Sequence, residues 1–195
     1  MFLASYNVYE ISTGVLKSMK IIKSLSFILI VLTLTVVFFH KKIISSILLP
    51  QYIEWAYATD AKGLEIGISL NSKELLLAAD IGIKHPEKVR LIYVDEVPFP
   101  YENFALKMLG EALGFIGEGV VNNAQAFGYS IYIRNGYELN RPKLAHELVH
   151  VLQIENSSLD KIITQHFSDL AVYGYEKAPL EVEAFEANKK YSDDW

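Results

Sequence analysis

The chain has 195 residues, of which 51% are hydrophobic and 21% charged, with a net charge of −5 and a mean hydropathy of +0.21. That balance excludes a disordered protein, which needs low hydropathy and high net charge. The absence of cysteine excludes disulfides, thiolate metal sites and a thiol nucleophile. The charge is also unevenly spread. Residues 1–42 carry five lysines against Glu10, and the remainder carries thirteen basic and twenty-two acidic residues, a poor match to nucleic acid.

The first element is apolar. Residues 24–39 contain no charge and are bracketed by Lys20 and Lys23 on one side and His40, Lys41 and Lys42 on the other. With Ile21 and Ile22 added, and Lys23 extending its amine outward, the run reaches the roughly 17–25 residues that cross a bilayer. A cleaved signal peptide and a buried core helix are the competing readings. The run ends Phe38-Phe39-His40-Lys41-Lys42 without a small-x-small cleavage site, and it has no polar face, so an uncleaved single-pass anchor is the better expectation. Contact with the lipid bilayer is expected through residues 21–40. Three lysines before the span against two after it place the bulk of the chain on the extracytoplasmic side, by one charge. The division expected is therefore a segment 1–20, with Met19 an alternative start, an anchor 21–42, and a domain 43–195.

Within that domain the elements follow in order. Ile43–Leu49 is a short apolar piece ending at Pro50. Asn71 and Ser72 are caps for a helix running to about Ala79. The segment 89–94 (VRLIYV) reads as a buried strand, and 102–113 (ENFALKMLGEAL) as a helix stopped by Gly114 and Gly117. Asn122, Asn123 and Gln125 read as a turn. The segment 129–134 (YSIYIR) is a second strand, closed by Asn135-Gly136. Three helices follow, capped by Asn140, capped by Ser158, and opened by Pro179. This order predicts an α+β fold.

The chemistry concentrates in His146-Glu147-Leu148-Val149-His150. On a helix, residues four apart share a face, so both imidazoles reach one ion, and Glu147 stands beside it. A zinc ion brings a bound water's pKa to about 7, and the carboxylate takes its proton as the water attacks a carbonyl. With 5 histidines and 16 glutamates, this pentapeptide arises by chance about once in a hundred such chains, so its context matters. It lies mid-helix behind a cap, and it follows the strand 129–134, which is expected along a cleft rim where an extended peptide pairs. A catalytic zinc site takes three protein ligands and one open position. The third ligand is not a nearby histidine, since none follows His150 before His166. Candidates are Glu181, Glu183 and Glu186 on the last helix, with Glu183, 33 residues after His150, preferred. Glu181 points almost opposite Glu183, so at most one of the two faces the metal.

The stretch LAHELVHVLQ (144–153), then Gly174-Tyr175, then APLEVEAFEAN (178–188) resembles a group of bacterial HExxH metallopeptidases of the zincin type with the pattern HELVHxxQ…GY…PLExEA. The resemblance covers about residues 60–190. It implies a minimal zincin-like catalytic domain with one Zn2+ ion held by His146, His150 and Glu183, the Glu that directly precedes Ala, with Glu147 as general base and a peptide or protein as substrate. Among the remaining residues, His166, on the intervening helix, is a candidate second support of the site. Gln153 is a candidate partner for a zinc-binding histidine, and Tyr173 and Tyr175 are candidate phenol donors to an oxyanion. His40 and His85 read as flank and loop. The expectation is thus a membrane-anchored zinc-dependent peptidase. The alternative is a catalytically weak metal-binding module with an interaction or assembly role.

Overall fold

In α1 (Leu3–Ile43) the described side chains of residues 17–35 are exposed on every face, because apolar residues there occupy every register and leave no core-facing stripe. A computed structural model describes residues 3–193, excluding the side chains of 3–16, 36–38, 40 and 41. The expectations for Met1 as the start and for His40 and Lys41 as polar flank lie outside the described residues. The chain divides into two units, Met1–Ile47 and Leu48–Trp195. In the first, Lys17–Thr35 is long and apolar enough to cross a membrane, with a mean hydropathy of 1.7. Its two threonine hydroxyls bond back to carbonyls four residues earlier, Thr33 to Leu29 at 2.9 Å and Thr35 to Val31 at 2.8 Å. Both hydroxyls are therefore satisfied within the helix, as an apolar medium requires.

The second unit surrounds one mixed sheet with helices. Its elements are α2 (Leu49–Ile66), β1 (Ile68–Ser69), α3 (Ser72–Ile81), β2 (Arg90–Val94), α4 (Phe104–Leu113), β3 (Ala124–Phe127), β4 (Ser130–Arg134), α5 (Arg141–Asn156), α6 (Leu159–Tyr173) and α7 (Pro179–Lys190). The sheet order is β1-β2-β4-β3. β2 and β4 are parallel with Leu91 opposite Ile131, while β1 and β3 pair antiparallel on the outside. A parallel pair needs a crossover, and residues 95–129 supply it through α4 and β3.

Alternation along the strands sends side chains to two cores. On one face Leu91, Ile131 and Ile133 pack with α3, α5 and α7. On the other, Ile92, Tyr132 and Phe127 pack with α2, α4 and α6. The α2 layer lies close because Gly63 meets β4, where an added Cβ would come within 2.6 Å of the Ser130 Cβ. The Tyr132 hydroxyl donates to the Thr59 carbonyl at 2.9 Å across the same contact.

Three elements escape the sequence reading. α2 begins at Leu49 with Pro50 in its first turn, so Pro50 opens a helix rather than ending the apolar piece. β1 is two residues long, too short for any periodicity. Asn122, Asn123 and Gln125 do not form the expected turn. Gln125 lies within β3, and the turn comes later, at Gly128, whose φ of +66° suits a residue without a side chain. The remaining elements fall within a few residues of expectation. Asn71 caps α3 in a reciprocal capping box with Glu74, and Asn140 caps α5. Ser158 precedes α6 but makes no side-chain cap bond.

Candidate metal centre

α5 is fixed before any function is considered. Asn140 accepts the Lys143 amide at its N-terminus, and Leu144, Ala145, Leu148 and Val151 bury one stripe against the sheet. That stripe leaves His146, Glu147 and His150 on the flank, the first two at 8% and 7% exposure. The Nε2 atoms of His146 and His150 are 3.2 Å apart. The one-turn spacing thus brings the imidazoles together as expected.

α7 supplies the acid, and its choice differs from expectation. Leu180, Ala184 and Ala187 form the buried stripe. At about 100° per residue, Glu181 and Asn188 flank that stripe on one side and Glu183 flanks it on the other. The histidines lie on the Glu181 side. Its Oε2 is 3.4 Å from His146 Nε2 and its Oε1 is 3.6 Å from His150 Nε2. His146, His150 and Glu181 offer ligand atoms that all lie within 4.8 Å of one another. Glu183 is instead exposed, and its Oε2 accepts from Gln153 Nε2 at 2.8 Å. The carboxylate that the structure brings to the two histidines is thus Glu181, where Glu183 was expected. Glu186 is exposed and pairs with Lys189 at 2.6 Å, away from the centre.

Each member of the cluster has a polar partner behind it. His146 Nδ1 meets Asn188 Oδ1 at 2.9 Å, and His150 Nδ1 meets Gln153 Oε1 at 2.9 Å. His166 Nε2 lies 3.6 Å from Glu181 Oε1, so the third histidine does reach the site, through the carboxylate. Asn188 has no counterpart in the sequence reading. The signal was available, since it sits seven residues after Glu181 on the same helical flank.

Electrostatics agree with the donor set. Burial pushes the Glu147 carboxyl up and Glu181 adds to this, against the opposing pull of both histidines. Burial also disfavours a charged His150, but hydrogen bonding and charge from Glu181 outweigh it and lift the ring to about 9. Burial opposes ionisation of Glu181 too, and the two histidines overcome it, holding that carboxyl well below its usual range. Burial lowers His166. Two rings facing each other through Nε2, with a carboxylate beside them, call for a positive charge between them. A proton meets that demand in part. A divalent cation meets it for all three ligands, and the buried Glu181 Oε2, which has no hydrogen-bond partner, fits this use.

A cavity of about 490 Å³ opens over these groups. Tyr52, Phe115, Phe127 and Phe167 face it from the opposite core, and residues 120–127 form a side wall. That wall includes β3, an edge strand that among the described residues pairs with β4 alone. The rim strand is therefore β3, and the strand expected there, at 129–134, lies inside the sheet between β2 and β3. Tyr175 lines the cavity, whereas Tyr173 does not. Burial and the Glu181 charge raise the Tyr175 phenol, which stays protonated. Glu147 also lines it, and its Oε2 is buried without a hydrogen-bond partner.

No family model, curated protein or solved structure matches the chain.

Proposed function

We propose that the chain is a membrane-anchored, metal-dependent peptidase of zincin type, with His146, His150 and Glu181 as ligands and Glu147 as general base. One observation carries this reading. A buried carboxylate with a free oxygen, Glu147, stands beside a His/His/Glu cluster in a cavity bordered by an unpaired strand edge.

A divalent cation, most simply Zn2+, supplies Lewis acidity to such a site and makes a water nucleophilic near neutral pH. The residues of the chain do the rest. Backbone groups on the open edge of β3 pair with an extended substrate and lay its scissile bond across the cavity. Glu147, its proton affinity raised by burial, takes the proton of the attacking water at Oε2 and delivers it to the departing amide nitrogen. Tyr175, protonated and facing the same cavity, donates to the carbonyl oxygen as negative charge builds there. The aromatic wall excludes water and accepts an apolar side chain.

The anchor reading rests on Lys17–Thr35 and the lysines around it. A protease-accessibility assay on intact and permeabilised cells tests both the anchor and the extracytoplasmic side.

The test of the reaction is Glu147→Gln in the full chain. Cleavage of a panel of denatured proteins is expected to fall about 10²–10⁴-fold, the range for losing a general base, with Zn2+ binding retained. Equal cleavage by the variant ends the general-base assignment. Zinc binding without cleavage by the wild type favours the alternative, a metal-binding interaction module.

A further inference from the structure

Behind the ligands lies a polar chain whose direction is fixed by chemistry. Gln153 Nε2 faces two groups that can only accept, the Leu180 carbonyl at 3.0 Å and the Glu183 carboxylate at 2.8 Å. An amide turned the other way would set its oxygen against both of them, repelling the carboxylate and leaving the buried Leu180 carbonyl unpaired. The nitrogen is therefore committed to α7, and the amide oxygen must point to His150 Nδ1, 2.9 Å away. That oxygen can only accept, so Nδ1 must carry a proton. When His150 gives up one proton to bind a cation, Nδ1 keeps its own and the lone pair is freed on Nε2, the atom that faces His146 and Glu181.

From this we infer that Gln153, oriented by Glu183 and Leu180, is a positioning residue that sets the His150 tautomer for cation binding. The inference rests on the metal-site reading above. It gives Glu183 a role without making it a ligand. The carboxylate acts two bonds away, by choosing which end of an amide meets the histidine. It also accounts for a glutamine three residues after the second histidine, where the helix returns to nearly the same face. Gln153 is buried at 8% exposure, so water does not readily take its place. Hydrogen-bond partners of this kind are worth about 10–100-fold in metal affinity.

Two readouts on the full chain in detergent micelles test the inference. In the metal-free wild type, at a pH where the ring is neutral, ¹⁵N-correlated NMR is expected to show a slowly exchanging proton on His150 Nδ1 and none on Nε2. That signal is lost in Gln153→Met. A wild-type ring without a proton on Nδ1 overturns the inference, whether or not any variant folds. The second readout is Zn2+ affinity by competition with a chromogenic chelator. Gln153→Met is expected to bind about 10–100-fold more weakly. Glu183→Ala, which leaves Leu180 as the remaining acceptor, is expected to lose about threefold. Glu183→Gln keeps an acceptor and binds as the wild type does. Wild-type affinity in Gln153→Met, with the Nδ1 proton still protected, also overturns the inference. If the wild type binds no Zn2+, the metal-site reading fails, and the NMR signal still decides the orientation of Gln153 by itself.

Discussion

The two helices that build the centre differ in how they came to their tasks. α5 carries His146, Glu147 and His150 at spacings that any α-helix converts into one face, so its half of the site is a local property. α7 carries three glutamates, and nothing in its own geometry chooses among them. Glu181 and Glu183 lie about 200° apart, on opposite flanks of the stripe formed by Leu180, Ala184 and Ala187. The flank that meets the histidines depends on how α7 crosses α5, and α3 and the sheet hold that crossing in place. One half of the site is thus set by turns of a helix and the other by the packing of a core.

The sharpest break of this comparison exchanges the two acids. Glu181→Ala is expected to lower Zn2+ affinity by more than about 100-fold, since it removes a ligand rather than a supporting bond. Glu183→Ala changes it only about threefold. Isothermal titration of both variants checks this, and the opposite ranking would return the ligand role to Glu183.

A second prediction disturbs the crossing and leaves every polar group in place. Ala184 is fully buried in the seam, and Ala184→Leu is expected to cost about 1–3 kcal/mol in urea unfolding by overpacking. It should also weaken Zn2+ binding by shifting Glu181, although the α5 spacing is untouched. Unchanged affinity in a destabilised variant would mean that the α7 half tolerates more movement than its packing implies.

The smallest expected effect lies at the far end of α5. Glu155 accepts the Lys84 and His85 amides at 2.8 and 3.1 Å and the Tyr129 hydroxyl at 2.7 Å. Burial is the largest single influence and opposes its charge, but these bonds together outweigh it and lower its carboxyl from the usual value. A lowered carboxyl stabilises the fold at pH above the ordinary glutamate range, near 4.3, and the benefit fades as pH falls through and below it. The urea midpoint of the wild type should therefore drop more steeply between pH 6 and pH 3 than that of Glu155→Gln. Parallel curves would show that this clamp carries no pH-dependent stability.

The legibility of the chain follows the same division. Asn71 with Glu74, and Asn140 before α5, act within one turn, and their helices begin where those residues stand. The parallel pairing of β2 with β4 and the edge position of β3 depend on residues far apart in the chain. β3 was hidden because Ala124, Gln125 and Ala126 lack the β-branched and aromatic character that marks 90–94 and 130–134. It is a strand because Phe127 and its neighbours find a partner in β4.

The amino-acid order alone determined an apolar run that reaches spanning length with Lys23 counted, most of the helices with the caps at Asn71 and Asn140, and two imidazoles with a carboxylate on one turn, because each depends on contacts within a few residues. Only the tertiary structure decided that Glu181 completes the cluster, that Glu183 turns Gln153 towards His150, and that β3 borders the cavity. Those outcomes are fixed by how helices and strands distant in sequence cross and pack, and packing is a property of the assembled core rather than of any segment.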